Sequence, residues 1–219
     1  MHHFISIAFS LLAIIGMHVS VQSPGRRFER SINRYPRSSV LPCFPNCMSV
    51  SNGMDWGYWR FTDRCPSRTY AAGFSLKVEY LSSGIWDDNT ALNGIRLHCV
   101  SSESSSLNPH EHYYSIQSDV GSWGQWTDIK WCPSGFLKAF QLRVEPSQGV
   151  DDDTAVNNIR FRCSDGSYLM GGGTSWGSWG DWSEMCERRG ICSIVTRVEE
   201  PQGWGDDTAL NDVKMECCE

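Results

Sequence analysis

Several things are missing from this chain of 219 residues, and each absence closes a route. Past the first 15 residues no apolar run approaches the roughly 20 residues that a membrane-spanning helix needs. No stripe of apolar residues at the 3.6-residue helical period stands out, so nothing reads as helix. The sequence holds no Cys-x-x-Cys pair, which removes the commonest zinc-ligand spacing, and no Asn-x-Ser/Thr acceptor for N-glycosylation. Basic residues are scarce, 19 against 25 acidic, and from Cys43 onward 14 face 24, a net of −10. An acidic body has few groups with which to neutralise phosphates, so nucleic acid is excluded as a partner.

What is present is a stretch that occurs three times. Asp88-Asn89-Thr90-Ala91-Leu92-Asn93 runs into Ile95 to Cys99. It returns as Asp152-Asp153-Thr154-Ala155-Val156-Asn157 before Ile159 to Cys163, and as Asp206-Asp207-Thr208-Ala209-Leu210-Asn211 before Val213 to Cys217. Thr-to-Thr and Cys-to-Cys spacings are both 64 and then 54, so the unit is kept while length varies elsewhere. Each copy joins a polar turn, whose side chains bond nearby backbone, to alternating residues that close on cysteine. That pattern predicts a turn feeding a half-buried strand that is pinned at its end.

Upstream of each copy lies a Trp-Gly-x-Trp segment, read as Trp56-Gly57-Tyr58-Trp59, Trp123-Gly124-Gln125-Trp126 and Trp179-Gly180-Asp181-Trp182. A cysteine follows each, then an alternating strand ending in a basic residue, Val and Glu: Lys77-Val78-Glu79, Arg143-Val144-Glu145 and Arg197-Val198-Glu199. Period-two alternation and frequent Gly, Asn and Asp turns predict an all-β domain. Three units are too few for a propeller, and a three-fold arrangement lets each unit bury its apolar face on its neighbours. A β-prism of three sheets about a pseudo-three-fold axis and a β-trefoil both satisfy this.

Residues 1–23 read as a secretory signal, because the apolar run Phe4 to Ile15 is short and small residues follow it. Residues 24–48 hold five arginines and four prolines and are predicted to be a flexible arm. Two segments there, Arg27-Phe28-Glu29-Arg30 and Arg34-Tyr35-Pro36-Arg37, have the paired-arginine spacing that secretory convertases cut. The domain is placed at 49–219, with repeats at about 52–100, 115–164 and 174–218.

Ten cysteines in an exported chain point to disulfides. The repeat pairs Cys65 with Cys99 and Cys132 with Cys163. In the third unit Cys186 with Cys217 and Cys192 with Cys218 is expected, the swapped arrangement being nearly as good. Cys43 and Cys47 would close a small loop. No cofactor or metal is implied: His110-Glu111-His112 lies in a polar linker, and Asp151-Asp152-Asp153 lacks the spaced ligand series of a calcium loop.

The tryptophan segments, the three acidic turns, the Pro-Ser-Gln-Gly and Pro-Gln-Gly lead-ins at Pro146 and Pro201, and the closing Cys217-Cys218 are similar to the vitelline membrane outer layer protein 1 family over about residues 50–219. The resemblance implies a β-prism of three Greek-key sheets, intrachain disulfides, and a secreted protein of an egg's outer coat or of mucosal secretions. It also implies, as a second possibility, a lysozyme-like transfer of N-acetylglucosamine oligomers. The expected partners are extracellular glycoproteins or mucin-type glycans. Candidate glycan contacts are Asp87, Asp88, Asn93, Asp152, Asp153, Asn157, Asp206, Asp207 and Asn211, although turn residues of these types ordinarily serve the backbone. The tryptophans of the repeated segment read first as core fillers. If the protein were an enzyme, Glu79, Glu145 and Glu199 would be the acid candidates, yet they recur in triplicate where a catalytic site needs one differentiated copy.

Overall fold

The structure, a computed structural model, describes residues 28–30, 47–79, 92–103, 111–146, 156–199 and 210–219. Among these there is no helix, and the strands form three sheets. Each sheet is built on a long antiparallel hairpin: β5 (Thr69–Val78) with β6 (Leu92–Ser101), β10 (Leu137–Val144) with β11 (Val156–Cys163), and β14 (Gly190–Val198) with β15 (Leu210–Cys218). These are the two alternating strands of every repeat.

Short strands complete each sheet on both edges. In the first sheet β7 (His112–Ile116) lies outside β6, while β8 (Gln125–Trp126) and β9 (Lys130–Trp131) pair with β5. In the second, β12 (Tyr168–Met170) lies outside β11 and β13 (Ser178–Trp179) pairs with β10. In the third, β2 (Cys47–Met48) lies outside β15, and β3 (Tyr58–Trp59) and β4 (Asp63–Arg64) pair with β14. The strand that follows the hairpin covers one edge, and the next one returns to the other, which is the Greek-key order. Three such sheets make a β-prism, and the trefoil alternative is set aside.

Sheet boundaries do not coincide with the sequence repeats. The tryptophan strand of the second repeat joins the first sheet, that of the third repeat joins the second, and that of the first repeat joins the third. The third Greek key is therefore made from strands at 47–64 and a hairpin at 190–218. Two strands also fall within the segment predicted to be a flexible arm: β1 (Phe28–Arg30), parallel to β7, and β2, which extends the third sheet before residue 49.

The core lies between the sheets and is filled by the inward residues of the hairpins, among them Phe74, Leu76, Phe140, Leu142, Phe161, Ile194, Val213 and Met215. Phe161 of the second sheet meets Phe74 of the first, with ring centroids 4.7 Å apart, and Phe140 at 6.4 Å. Burying aromatic and aliphatic side chains of this size supplies about 1.5 to 3 kcal/mol each, and it fixes which face of every hairpin points inward.

The disulfides staple the prism at its seams. Cys65 bonds its amide to Cys192 O on the third sheet and its sulfur to Cys99 on the first. Cys132 hydrogen-bonds Ala72 O on the first sheet and bridges to Cys163 on the second. Cys186 hydrogen-bonds Lys138 O on the second sheet and bridges to Cys217 on the third. Cys192–Cys218 ties the last hairpin to itself, so the third unit has the first of its two possible arrangements. Cys47 is also disulfide-bonded. Cys43 lies outside the described residues.

Candidate functional site

The tryptophan turns are built alike on all three sheets. Gly57, Gly124 and Gly177 have φ of 71°, 86° and 73°, the left-handed region that suits glycine. A Cβ on any of them would fall 2.2 to 2.4 Å from the backbone of Val198, Val78 or Val144, so the turn presses directly on the end of the neighbouring hairpin strand. This corrects the repeat register. The third turn is Trp176-Gly177-Ser178-Trp179, not Trp179-Gly180-Asp181-Trp182, because Ser178 and Trp179 occupy the places of Gln125–Trp126 and Tyr58–Trp59 in the ladder. The sequence offers two overlapping Trp-Gly-x-Trp frames there, and only strand pairing distinguishes them.

The recurring basic residue before Val and Glu now has a cause. Lys77 Nζ donates to Gly121 O at 2.7 Å and Ser122 O at 2.8 Å. Arg143 Nε donates to Gly177 O at 3.0 Å, and Arg197 Nε to Gly57 O at 3.2 Å. Each cation thus holds the carbonyls of the turn next to it.

Held in this way, the first tryptophan of each turn stands out from the surface. Trp56, Trp123 and Trp176 are 54%, 54% and 53% exposed, a repeated value that repeated geometry explains. The second tryptophans, Trp59, Trp126 and Trp179, lie under a cation of the hairpin's second strand: Lys214 Nζ at 4.4 Å, the Arg96 guanidinium at 4.0 Å and that of Arg160 at 4.6 Å from the ring centroids. Such contacts contribute about 0.5 to 1 kcal/mol each at exposed sites. Neither these six nor Trp182 fills the core, contrary to the expectation from the sequence.

Asn93, Asn157 and Asn211 are 0% exposed, so their side chains offer no surface to a ligand. They brace the segment before the exposed tryptophan instead. Asn93 O accepts from Gly121 N at 2.6 Å and its Oδ1 from Trp123 N at 3.3 Å. Asn157 O accepts from Thr174 N at 3.0 Å while its Oδ1 accepts from the Thr174 hydroxyl, and Asn211 O accepts from Met54 N at 2.8 Å. As candidate sugar contacts the three asparagines are corrected to supports. Asp87, Asp88, Asp152, Asp153, Asp206 and Asp207 lie outside the described residues. Glu79, Glu145 and Glu199 each follow the last residue of a first hairpin strand, beside the tryptophan turn of the same sheet, and nothing in that placement sets one apart.

Two ionisable groups are perturbed without facing a ligand. His98 is buried on the first sheet, its Nε2 3.0 Å from Ser75 Oγ and its Nδ1 3.0 Å from Ser115 Oγ, with Tyr113 and Trp131 packed over the ring. Burial, with the Arg96 charge behind it, pushes the imidazole down to about 3. Asp212 sits on Gly53 and is pushed up to about 6 by burial and by Asp55, against the Val213 amide, Lys214 and Arg197. The second sheet has Asn158 at the matching position, and its Oδ1 accepts from the following amide just as that of Asp212 does.

The two shifts act in opposite directions on stability. Below about pH 6.5 the unfolded chain takes up a proton at His98 that the folded protein resists, so stability falls from there toward pH 3. At Asp212 the folded protein holds the proton more tightly, so stability is gained on acidification and lost as pH rises from about 4 through 6. Asp212→Asn is expected to stabilise by about 1 to 2 kcal/mol at pH 7.5 and by almost nothing at pH 4. His98→Gln is expected to remove about 2 to 3 kcal/mol of the loss between pH 7 and pH 4.5, whatever its cost at neutral pH. Urea unfolding of both variants across pH 4 to 8 checks both signs, and parallel curves for wild type and variants would refute them.

A β-prism whose three sheets each present a braced, half-exposed tryptophan on a glycine turn is the class of protein that the fold and these sites define. The family model for Vitelline membrane outer layer protein I (VOMI) matches residues 46–219, and the chain belongs to that family. It is 47% identical over 180 residues to the vitelline membrane outer layer protein 1 homolog of Mus musculus, covering 82% of this chain and 86% of that protein. To the homolog of Homo sapiens it is 48% identical over 172 residues, covering 78% and 82%. Among solved structures it is similar to Calystegia sepium agglutinin (TM-score 0.47, 12% identity, 81% of this chain and 97% of that one). It is also similar to frutapin, a lectin from Artocarpus incisa (TM-score 0.46, 14% identity, 81% and 100%).

Proposed function

We propose that this protein is a secreted structural component of an extracellular coat, an egg's outer vitelline layer or a mucosal secretion, that binds glycans or glycoproteins through its tryptophan turns. The observation that carries the reading is the triplicate exposure of Trp56, Trp123 and Trp176 on rigid supports. An indole that is half exposed yet fixed by a glycine turn, a basic side chain and a buried asparagine presents a flat apolar face at low entropic cost. Sugar rings offer C–H faces to such a surface while their hydroxyls bond neighbouring polar groups. Three copies make the protein multivalent, and a matrix of repeated glycans rewards multivalency through avidity. The family name of its relatives, the disulfides and the short apolar run from Phe4 to Ile15 all support export to an oxidising exterior.

The experiment is a binding and turnover assay with chitin oligomers and mucin-type glycoproteins. Trp56→Ala, Trp123→Ala and Trp176→Ala are each expected to weaken binding to mucin about tenfold, and the triple variant about 100-fold or more, with stability changed by less than about 1 kcal/mol. Full binding by the triple variant would remove the tryptophans from the mechanism. New oligomer lengths in the product mixture would replace the coat reading by the glycan-transfer one, and Glu79→Gln, Glu145→Gln and Glu199→Gln would then show which unit had become an active site.

A further inference from the structure

The outer face of the second sheet breaks the three-fold pattern. Pairing of β11 with β12 sets Arg160 beside Met170 and Arg162 beside Tyr168. The intervening Phe161 and Leu169 belong to the core side, so the two arginines, Tyr168 and Met170 share the outward face. Trp182 extends it, its ring centroid 5.5 Å from that of Tyr168 and inclined by 40°. The Arg160 guanidinium lies 4.6 Å from the Trp179 centroid and 5.3 Å from that of Trp182, and Arg162 lies 5.9 Å over Tyr168. Tyr168 and Met170 are 60% and 50% exposed.

The matching positions on the other sheets are closed. In the first sheet they are Arg96 and His98, and the histidine is roofed by Tyr113 and Trp131. In the third they are Lys214 and Glu216, and Glu216 is paired with Arg64 and bonded to Ser193. Among the described residues, Arg60, Arg64, Arg68, Arg188 and Arg197 all form ion pairs, and neither Arg160 nor Arg162 does. Arg160 spends its Nε on Gln141 Oε1. Asp165, in the turn between β11 and β12, accepts from Ser167 and Ser134. Among the described residues the acidic body thus carries, on one sheet only, two adjacent guanidiniums without carboxylate partners, bordered by aromatic rings.

We propose that this face binds a saccharide bearing an anionic group, a sugar carboxylate or a sulfate ester, with the ring against Tyr168 and Trp182 and the anion received by Arg160 and Arg162. Guanidinium forks match the oxygens of both anions and hold them by charge-assisted hydrogen bonds that a neutral hydroxyl does not replace. Stacking on the guanidiniums keeps the rings in place before a ligand arrives, which lowers the ordering cost of binding. The site uses none of the exposed tryptophans Trp56, Trp123 and Trp176, so it stands or falls separately from them.

The test is titration of the full protein with sialyllactose and with sulfated N-acetyllactosamine, beside lactose and N-acetyllactosamine, by calorimetry at low and at physiological salt. Each anionic sugar that the site accepts is expected to bind at least about tenfold more tightly than its neutral parent, and the two arms show which anion is preferred. Arg162→Gln and Tyr168→Ala, both on the exposed edge of the face, are each expected to weaken that binding about tenfold with the melting temperature unchanged. Arg162→Lys, which keeps the charge and loses the fork, should fall between. Trp56→Ala should leave it untouched. Equal binding of charged and neutral sugars, wild-type affinity in Arg162→Gln, or inorganic sulfate bound as tightly as the sulfated sugar would each overturn the proposal.

Discussion

Replacing Gly124 by alanine is expected to destabilise the protein by about 3 to 5 kcal/mol, far more than one methyl group ordinarily does. Two terms add. At φ 86° an alanine is held in a conformation that L-residues avoid, at a cost of about 1 to 2 kcal/mol. Its Cβ would also lie 2.4 Å from the carbonyl carbon of Val78, and backbone in the middle of a ladder cannot step aside. The turn would have to withdraw, giving up the pairing of Gln125 and Trp126 with β5 and the Lys77 bonds behind it. Gly57→Ala and Gly177→Ala should behave alike, since their contacts with Val198 and Val144 are equivalent. Gly166 separates the two terms. It has φ 85° but nothing within 4 Å of a Cβ, so Gly166→Ala should cost only the conformational part, about 1 to 2 kcal/mol. Urea denaturation of the four variants measures the difference, and equal losses at Gly166 and Gly124 would show that crowding against the strand contributes nothing.

The second large effect belongs to the seams. The three inter-sheet bridges close sequence separations of 34, 31 and 31 residues, and the hairpin bridge one of 26. On the loop-entropy model each restricts the unfolded chain by about 3 to 4 kcal/mol. Replacing Cys132 and Cys163 together by alanine should therefore lower the unfolding free energy by about 3 kcal/mol, read from urea titration. Full reduction removes a sum on the order of 10 kcal/mol or more, comparable with the whole stability of a typical domain. The reduced chain is expected to lose its near-ultraviolet circular dichroism at 25 °C. A reduced protein that still melts cooperatively near the oxidised temperature would mean that sheet packing alone holds the prism.

Much of this was legible in the sequence because it repeats. The period-two strands, the cysteine at the end of each, and the three-fold count led to three sheets, since alternation fixes a strand and repetition fixes how many. What stayed hidden depends on pairing between distant segments. Nothing local in Tyr58-Trp59 says that these residues join β14, about 140 positions away, because hydrogen-bond partners in a ladder are not written in either strand alone. The two overlapping tryptophan frames at 176–182 differ only in which of them meets β10. Asn93, Asn157 and Asn211 look like turn residues by type, but they begin a strand whose neighbours are buried, and position overrode composition. The arginine face did leave a signal. The outward positions of the closing strand read Arg96 and His98, Arg160 and Arg162, then Lys214 and Glu216, and only the middle pair is doubly cationic. Its meaning required knowing that Arg64 neutralises Glu216 and that Tyr113 and Trp131 cover His98, contacts that arise from other parts of the chain.

The order in which the chain leaves the ribosome acquires a meaning from the third sheet. Its hairpin, β14 and β15, is synthesised after the other two, yet the strands that complete it, from Cys47 to Arg64, are among the first described residues to appear. The first two Greek keys consist of consecutive segments and can form as they emerge. The third must wait until residues 190–218 are made, when β14 and β15 meet strands that have stood without a bed. Until then Cys65 lacks the Cys192 carbonyl that positions it, so the first seam is completed by the third hairpin. The three Greek keys form a ring that the described chain enters at β2 and closes at β15, and linking those two neighbouring strands while opening the chain between the first and second sheets would move the wait to a different seam.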